Sequence, residues 1–278
     1  MAYPCRIVCL SEETTETLYL LGEQDRIVGI SGYTVRPPQA RRDKPKVSAF
    51  TSARIDRIVA LRPDLVLTFS DLQAEIAAEL IKNGLEVHAF NQRDVAGILA
   101  MIRLLGAMVG AGDAAARLAD TLAGRIGRVR TRCAHGPRPR VFFEEWDEPL
   151  ISGIGWVSEL IAIAGGEDCF ADLATNALAR DRIVTPEAVC ERRPDMVIGS
   201  WCGKRFRPEL VAARPGWDSV PAVAGGHLYE VKSSLILQPG PAALTDGLAA
   251  LEQAIGQWRS ARSKSTGSRV PSALRPVS

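Results

Sequence analysis

Short apolar runs alternate with amphipathic segments along the first ninety residues of the chain. Strands are predicted at four apolar runs, namely Arg6–Leu10, Ile27–Ile30, Leu65–Phe69 and Glu86–Phe90. Helical spacing of apolar residues predicts helices between them, at Thr14–Leu21, Ile55–Leu61 and Leu72–Asn83. The Pro-rich segment Gly32–Pro45 predicts an irregular loop. Strands that alternate with helices in this way indicate a parallel sheet with helices packed on its faces.

The middle of the chain breaks this alternation. Two helical segments, Val95–Val109 and Asp113–Cys133, follow each other with no apolar strand between them, and Asp113 is a candidate N-cap of the second. A helix of about 21 residues spans about 32 Å, because each residue adds about 1.5 Å. That length is sufficient to connect two lobes.

The second half of the chain repeats a pattern of the first. Segment 55–67 (IDRIVALRPDLVL) and segment 186–198 (PEAVCERRPDMVI) both predict a helix, then Arg-Pro-Asp, then an apolar strand. Asp56 and Glu187 each stand seven positions before the proline of their segment. The repeat predicts two lobes of like topology. The expected fold is therefore α/β, with a central, mostly parallel sheet in each lobe and one long helix joining them.

The predicted boundaries follow from this organisation. An N-terminal α/β lobe is expected over residues 1–110, a connecting helix over 111–137 and a C-terminal α/β lobe over 138–259. In the C-terminal lobe, apolar runs predict strands at Arg140–Phe143, Met196–Ile198 and Leu228–Val231. From residue 260 the chain is rich in Ser, Arg, Lys, Gly and Pro, which predicts a disordered tail over 260–278.

Composition and charge exclude several classes of protein. The 34 Lys and Arg residues against 32 Asp and Glu leave a net charge of +2, so no basic surplus indicates nucleic acid. No apolar run reaches the roughly 18 residues of a membrane span. Residues 1–30 show no basic segment followed by an apolar stretch, so we expect the chain to remain in the cytoplasm. None of the six cysteines forms a C-x-x-C pair, and we expect no metal site.

Aromatic residues are concentrated just after predicted strands. Ligands of open parallel sheets bind beyond the carboxyl ends of the strands, and aromatic faces offer a large rigid contact area to a flat ligand. Six rings occupy such positions although only 6% of the chain is aromatic, and they are Tyr33, Phe50, Phe69, Trp146, Trp156 and Trp201. We expect them to line a ligand cleft between the lobes. The alternative is that they fill the interface between the lobes.

Charged residues accompany these rings. Glu12 follows the first strand, Glu145 lies in the acidic run 144–148, and Lys204 follows Trp201 closely, so we expect all three to contact the ligand. The acidic run itself suits either a metal or amine ligand or a solvated loop. No G-x-S-x-G, H-E-x-x-H or phosphate-binding motif occurs, which favours a protein that is not an enzyme. Cys202, two residues before Lys204, is a candidate activated thiol.

Several motifs resemble those of a known family. They are RIVCLSEETTETLYLLG, IVGISGY followed by PPQ, IDRIVALRPDLVL and RRPDMVI. Two like lobes with a long helix between them resemble the helical-backbone class of ABC-transporter substrate-binding proteins, the class III periplasmic-binding-protein fold. Within that class the chain is similar to cobalamin-binding proteins over about residues 5–258. The resemblance implies a monomeric, non-enzymatic protein without a cofactor of its own, which binds a corrinoid and delivers it to an ABC permease from the periplasm.

The resemblance also suggests roles for individual residues. Tyr33 matches a ligand-stacking tyrosine ahead of the Pro-Pro pair, and Phe50 and Phe69 stand where tryptophans line the cobalamin cleft. Asp56 and Glu187 match two surface carboxylates, one in each lobe, that contact arginines of the permease. The simpler interpretation of these two acids is that they favour the start of their helices through the helix dipole.

The C-terminal lobe departs from the cobalamin-binding pattern at EEWDEP, SWCGK and SLILQPGPA. A siderophore, haem or another metal chelate is therefore the alternative ligand on the same fold. A cytosolic corrinoid-handling protein or an enzyme, with Cys202 and the acidic run as its chemical groups, is the alternative from a different class.

Overall fold

The computed structural model describes residues 3–267 and contains two separate β-sheets. The first sheet is wholly parallel, with the strand order β3-β2-β1-β4-β5. Its strands are β1 (Ile7–Cys9), β2 (Ile27–Ser31), β3 (Lys46–Ser48), β4 (Leu65–Phe69) and β5 (Val87–Phe90). Every residue of β4 is buried, as its mostly apolar sequence predicts for a strand covered on both faces.

The second sheet is mixed. Its strands are β6 (Arg140–Asp147), β7 (Leu150–Ser152), β8 (Glu167–Asp168), β9 (Met196–Gly199) and β10 (Leu228–Glu230). They lie in the order β10-β9-β6-β7, with β8 paired to the other end of β6. Only β7 runs antiparallel to its neighbour among these described strands. Two α/β regions with mostly parallel sheets, rather than one continuous sheet, confirm the predicted fold class.

Helices cover both sheets. Those of the first half are α1 (Glu12–Leu20), α2 (Pro38–Asp43), α3 (Ile55–Ala60), α4 (Ala74–Lys82), α5 (Val95–Met108) and α6 (Gly112–Cys133). Those of the second half are α7 (Gly155–Ile163), α8 (Ala171–Ala174), α9 (Pro186–Arg192), α10 (Pro208–Ala212), α11 (Pro221–Ala224), α12 (Ser233–Ile236) and α13 (Leu248–Gly267). In residues 3–267 no helix is both long enough and apolar enough to cross a membrane.

One buried apolar cluster extends through both halves of the molecule. It contains Leu67 of β4, Ile102 of α5, Ile126 of α6, Val157 of α7 and Leu251 of α13. The long helix α6 therefore packs against the lobes instead of running through solvent between them. A shared apolar core holds the lobes in a fixed relation, because separating them would expose that surface to water.

Polar contacts reinforce this junction. Arg36 lies 2.9 Å from Glu16 on α1 and 2.9 Å from Asp246 in the C-terminal half. The amide Nε2 of Gln92 donates to the carbonyl of Pro239 at 2.8 Å. These contacts cross from one half to the other beside the cleft described below.

The sequence repeat has a structural counterpart. Arg62 and Arg193, the arginines of the two Arg-Pro-Asp segments, both adopt left-handed backbone conformations with φ of 46° and 45°. Each ends a helix of its lobe and turns the chain into a buried strand. The same unusual backbone at both places supports the prediction of two lobes with like topology.

Three local predictions are wrong. Asp113 is not an N-cap, because α6 begins at Gly112 after Ala111 and no side chain caps it. The acidic run 144–148 is mostly strand rather than loop, because β6 continues to Asp147 and pairs with β7. The Pro-rich segment after β2 contains the helix α2.

The predicted disordered tail also needs correction over residues 260–267. Helix α13 continues to Gly267, and Arg259 fixes it to the body of the protein by donating to the carbonyls of Pro137 and Gly165 at 2.9 and 3.1 Å. The hydroxyl of Ser260 donates a hydrogen bond to the carbonyl of Gly256, one helical turn earlier. Residues 268–278 of the predicted tail lie outside the described residues.

Candidate functional site

A cavity of about 840 Å³ opens between the two halves at the carboxyl ends of the strands. Its walls come from the start of α1, the segments after β2 and β3, the segment after β9, and the residues at and after the end of β10. The lining side chains are Glu12, Tyr33, Val35, Phe50, Thr51, Trp201, Cys202, Lys204, Arg205, Glu230, Val231, Lys232, Ser233, Ser234 and Gln238. Five of the nine residues that the sequence predicted as ligand contacts are among them: Glu12, Tyr33, Phe50, Trp201 and Lys204.

The N-terminal wall carries two aromatic rings. Tyr33 leaves 53% of its surface exposed at the mouth of the cavity, whereas Phe50 is half-buried and packs on the core. The buried amide of Gln73 holds the backbone of Phe50, since its Nε2 donates to the carbonyl of Phe50 at 2.9 Å. Its Oε1 accepts from the amide of Phe69 at 2.9 Å. Phe50 is thus fixed, whereas Tyr33 can adjust to a ligand.

The C-terminal wall is built around Trp201. Its indole Nε1 donates to Oε1 of Glu144 at 2.9 Å, and its ring packs edge-on against Phe206 with centroids 5.1 Å apart. Glu144 is fully buried and accepts two hydrogen bonds from Arg214, at 2.6 and 2.7 Å. A bidentate arginine–carboxylate pair has a defined geometry, so Glu144 and Arg214 together orient the tryptophan.

Lys204 covers part of this aromatic wall. Its ammonium lies 4.2 Å from the ring centre of Trp146 and 5.1 Å from that of Trp201, and it forms an ion pair with Asp147. Trp146 itself is half-buried, donates to the carbonyl of Glu148 at 2.8 Å, and does not line the cavity. A cation over an aromatic face is a favourable contact, so a flat ligand in the cavity would compete with Lys204 for the ring of Trp201.

Two other predicted rings, Phe69 and Trp156, belong to the core rather than to the cavity wall. Neither ring lines the cavity, and this rather than burial separates them from Trp201, which is itself only 3% exposed. Trp156 donates its Nε1 to the carbonyl of Ile236 on α12 at 2.8 Å, and Phe69 lies under the guanidinium of Arg93. For Phe69 and Trp156 the structure therefore agrees with the alternative interpretation, in which the rings fill the interior where the lobes meet.

The acidic run is neither a metal cluster nor a solvated loop. Glu145, predicted as a ligand contact, instead lies 2.6 Å from the buried guanidinium of Arg182, and it does not line the cavity. Glu144 pairs with Arg214 and Asp147 with Lys204. In the part of the chain that the structure describes, no three metal-ligating side chains gather into a cluster. The run serves to organise the wall that carries Trp201.

Helix α1 begins with two buried carboxyls. Glu12 and Glu13 are 5% and 1% exposed, and burial raises the pKa of Glu12 to about 7 and that of Glu13 to about 8. Glu12 lines the cavity, and its Oε2 is buried without a hydrogen-bond partner among the described residues. An unpaired buried oxygen is costly, so this carboxyl is a strong candidate for contact with a ligand.

Cys202 lines the cavity beside Trp201 but is not an activated thiol. Desolvation by the surrounding protein raises its pKa, and the nearby carboxyls of Glu12 and Glu145 raise it further. Lys204 is engaged by Asp147. The thiol therefore stays protonated at neutral pH, which weighs against the catalytic role that its neighbour Lys204 suggested.

The two predicted docking acids occupy equivalent positions. Asp56 is the second residue of α3 and Glu187 the second residue of α9, and both side chains are exposed. The repeated segment thus presents one carboxylate on the surface of each lobe.

Several lining residues were not singled out from the sequence. Arg205, Glu230, Lys232 and Gln238 all follow or end the strands β9 and β10. The rule that ligands bind at strand carboxyl ends applies to them as well as to the aromatic residues, so this signal was present in the sequence.

Comparison with known proteins gives a consistent result. A profile described as periplasmic binding protein matches residues 7–235. The vitamin B12-binding protein of Vibrio campbellii is 24% identical over 238 residues, which cover 84% of this chain and 83% of that protein.

Two solved structures share the fold. The periplasmic vitamin B12 binding protein of Vibrio cholerae superposes with a TM-score of 0.74 at 22% identity, over 94% of this chain and 99% of that one. A periplasmic heme-binding protein from Roseiflexus superposes with a TM-score of 0.77 at 23% identity, over 90% of this chain and 98% of that one. Because the family profile spans most of the sequence, this chain belongs to the periplasmic binding protein family, whose members are solute-binding proteins rather than enzymes.

Proposed function

We propose that this protein binds cobalamin or a related corrinoid in the cleft between its lobes and delivers it to an ABC transporter. The observation that carries the proposal is the 840 Å³ cleft with aromatic rings on both walls. Pockets for small ligands span about 300–1,000 Å³, so this one suits a large ligand. The similarity to the vitamin B12-binding protein of Vibrio campbellii supports the same choice.

The chemistry of the walls suits a corrinoid. A corrinoid is a large macrocycle with amide side chains around its edge. Tyr33, Phe50 and Trp201 offer ring faces or edges to the macrocycle, and the hydroxyls and amide of Ser233, Ser234 and Gln238 can both donate and accept hydrogen bonds. A ligand with many amides needs side chains of this kind, which both donate and accept hydrogen bonds, around the aromatic residues that contact its macrocycle.

Haem is the second candidate, and a specific observation favours it. Arg205 and Lys232 line the cleft and form no ion pair with any described residue, so they could meet the propionates of a haem. The exposed phenol of Tyr33 is also a group that can ligate haem iron. The fold shared with the Roseiflexus heme-binding protein is compatible with this candidate.

Titration of the purified full chain with cyanocobalamin, hemin and a ferric hydroxamate siderophore separates the candidates. We expect saturable binding of cyanocobalamin, seen by calorimetry and by a shift in the visible spectrum, with at least tenfold weaker binding of hemin. Tyr33→Phe should leave corrinoid binding within about twofold, because it keeps the ring. Tighter binding of hemin, lost in Tyr33→Phe, would establish the haem alternative and overturn the proposal.

Delivery to a permease is the second part of the proposal. Asp56 and Glu187 lie at equivalent positions of the two lobes, and two equivalent carboxylates suit a permease with two-fold symmetry, because each lobe then meets an equivalent subunit. This role requires the protein to be in the periplasm. Fractionation of cells that express the native gene tests the compartment, and recovery with cytoplasmic markers would contradict delivery.

A further inference from the structure

The carboxyl of Glu12 is buried in the wall of the cleft at the start of helix α1. It is the first residue of α1, which follows β1, the central strand of the first sheet, after Leu10 and Ser11. The side chain is 5% exposed, it lines the cavity, and its Oε2 lacks a hydrogen-bond partner among the described residues. A buried acceptor of this kind is destabilising unless a hydrogen-bond donor pairs with it.

We propose that Glu12 is a specificity-determining residue, which admits ligands that present amides to this part of the cleft and rejects ligands that present carboxylates. The inference rests on the proposed function, since it concerns the choice among ligands in the same cleft. Its physical basis is the pairing capacity of the two groups. A primary amide both donates and accepts, whereas an ionised carboxylate only accepts.

The two protonation states of Glu12 make this difference measurable. Burial raises the pKa of Glu12 to about 7, so both states are populated near neutral pH. An amide can pair with either state, by donating to the carboxylate or by accepting from the protonated acid. A ligand carboxylate can pair only with the protonated acid and is repelled by the ionised one. Affinity for a carboxylate ligand should therefore fall as the pH rises through about 7, whereas affinity for an amide ligand should not.

The charged groups around Glu12 do not produce the same pH dependence. Across the cavity lie Cys202, Lys204, Arg205, Glu230 and Lys232, and on its own helix lie Glu13 and Glu16. From about pH 6 to about pH 8.5, the raised pKa of Cys202 keeps it a thiol. Glu16 is ion-paired with Arg36. Glu13, whose pKa is raised to about 8, titrates in this range but does not line the cavity.

Two corrinoids with the same macrocycle test the inference. Aquacyanocobinamide carries amides at its edge, and aquacyanocobyrinic acid carries carboxylates at the same positions. For the unmodified full chain at about pH 8.5 we expect the amide compound to bind at least about tenfold more tightly. The ratio should shrink severalfold at about pH 6, because Glu12 is then largely protonated.

Substitutions locate the effect at Glu12. Glu12→Gln should reduce the ratio at about pH 8.5 severalfold and remove its pH dependence, because the amide carries no charge. Glu13→Gln is the matched control, since it neutralises the neighbouring buried carboxyl outside the cavity wall, and it should keep both the preference for the amide compound and the pH dependence. Thermal unfolding of both variants shows whether they are folded.

The outcomes separate this inference from the proposed function. If aquacyanocobinamide binds but the ratio is independent of pH in the unmodified chain, or unchanged by Glu12→Gln, then the role of Glu12 is wrong and corrinoid binding stands. If neither corrinoid binds, both proposals fail. The pH series on the unmodified chain tests the role of Glu12 even if Glu12→Gln does not fold.

Discussion

Asp64 and Asp195 have the same role in the two lobes. Each follows the Arg-Pro of the repeated segment, and each accepts a hydrogen bond at 2.9 Å from the backbone amide at the start of the first strand of its sheet, that of Arg6 for Asp64 and that of Arg140 for Asp195. The aspartate of the repeated Arg-Pro-Asp segment therefore fixes the backbone at the start of β1 and of β6. It explains why the same three residues recur in both halves.

Replacing either aspartate should weaken its lobe. We expect Asp195→Ala to lower the free energy of unfolding by about 1 kcal/mol, because the charge-assisted hydrogen bond from the amide of Arg140 is lost. Asp64→Ala should cost somewhat more, because Asp64 accepts from the amides of both Cys5 and Arg6. Asp64→Asn, which keeps an acceptor oxygen, should cost less. Chemical denaturation monitored by circular dichroism measures the three values. Equal stability of Asp64→Ala and the unmodified protein would contradict the assignment.

Tyr33 should contribute to ligand affinity without contributing to stability. Its side chain is 53% exposed at the cleft, so we expect Tyr33→Ala to weaken cyanocobalamin binding about tenfold, through the lost ring contact and the apolar area it buries. Tyr3→Ala is the control, because Tyr3 is equally exposed and lies outside the cleft. Calorimetry with cyanocobalamin on both variants measures the change in affinity. A Tyr33→Ala/Trp201→Ala double variant extends the test, and full affinity in that variant would show that the ligand does not bind in this cleft.

Arg214 should be more important to stability than its partial exposure indicates. Removing it by Arg214→Met leaves the fully buried Glu144 without its cation, and an unpaired buried charge costs about 3–5 kcal/mol. Neutralising the carboxyl as well, in Glu144→Gln/Arg214→Met, should recover part of that loss. Thermal unfolding of the single and double variants shows the coupling. If the losses are simply additive, the two groups do not act as a pair.

The contribution of Glu13 to stability should be lost as the pH rises from about 4.5 to about 8. Burial raises the pKa of Glu13 from 4.5 to about 8, so the folded state holds a proton that the unfolded state has released. The contribution is complete below about pH 4.5 and is lost as the pH rises through about 8. Glu13→Gln should therefore gain stability relative to the unmodified chain at pH 9 but not at pH 5, as denaturation at the two pH values will show. A difference that does not depend on pH would contradict this account.

The docking proposal predicts a separation of uptake from binding. Reversing both charges, in Asp56→Lys with Glu187→Lys, should abolish permease-dependent corrinoid uptake and leave affinity for the ligand within about twofold, because both side chains are exposed and outside the cleft. Exchanging two other exposed acids, in Glu75→Lys with Glu209→Lys, controls for net charge. Uptake at the normal rate in the Asp56→Lys/Glu187→Lys variant would contradict the docking proposal. The two acids would then only stabilise the starts of their helices.

Local patterns in the sequence were sufficient for much of the fold. The apolar run Leu65–Phe69 coincides with β4, and the predicted helix Asp113–Cys133 differs from α6 by one residue. Both signals depend on periodicity within one element, which the sequence carries directly. The repeat of Arg-Pro-Asp likewise predicted two lobes of like topology. The short edge strand Lys46–Ser48 was not predicted, since three residues that alternate exposed and buried carry little periodic signal.

Only the tertiary structure decided which residues form the cleft. Trp156 and Trp201 both follow strands of the C-terminal half, yet Trp156 is covered by α12, whereas Trp201 lines the cavity. The ion-pair partners of the acidic run could not be predicted from the sequence either. Glu144 pairs with Arg214, which is 70 residues away in the chain, and Glu145 pairs with Arg182, which is 37 residues away. The sequence determined most of the elements, their order and the strand ends where a ligand site forms. Which side chains face that site depends on how distant segments pack together, and no local pattern records those contacts.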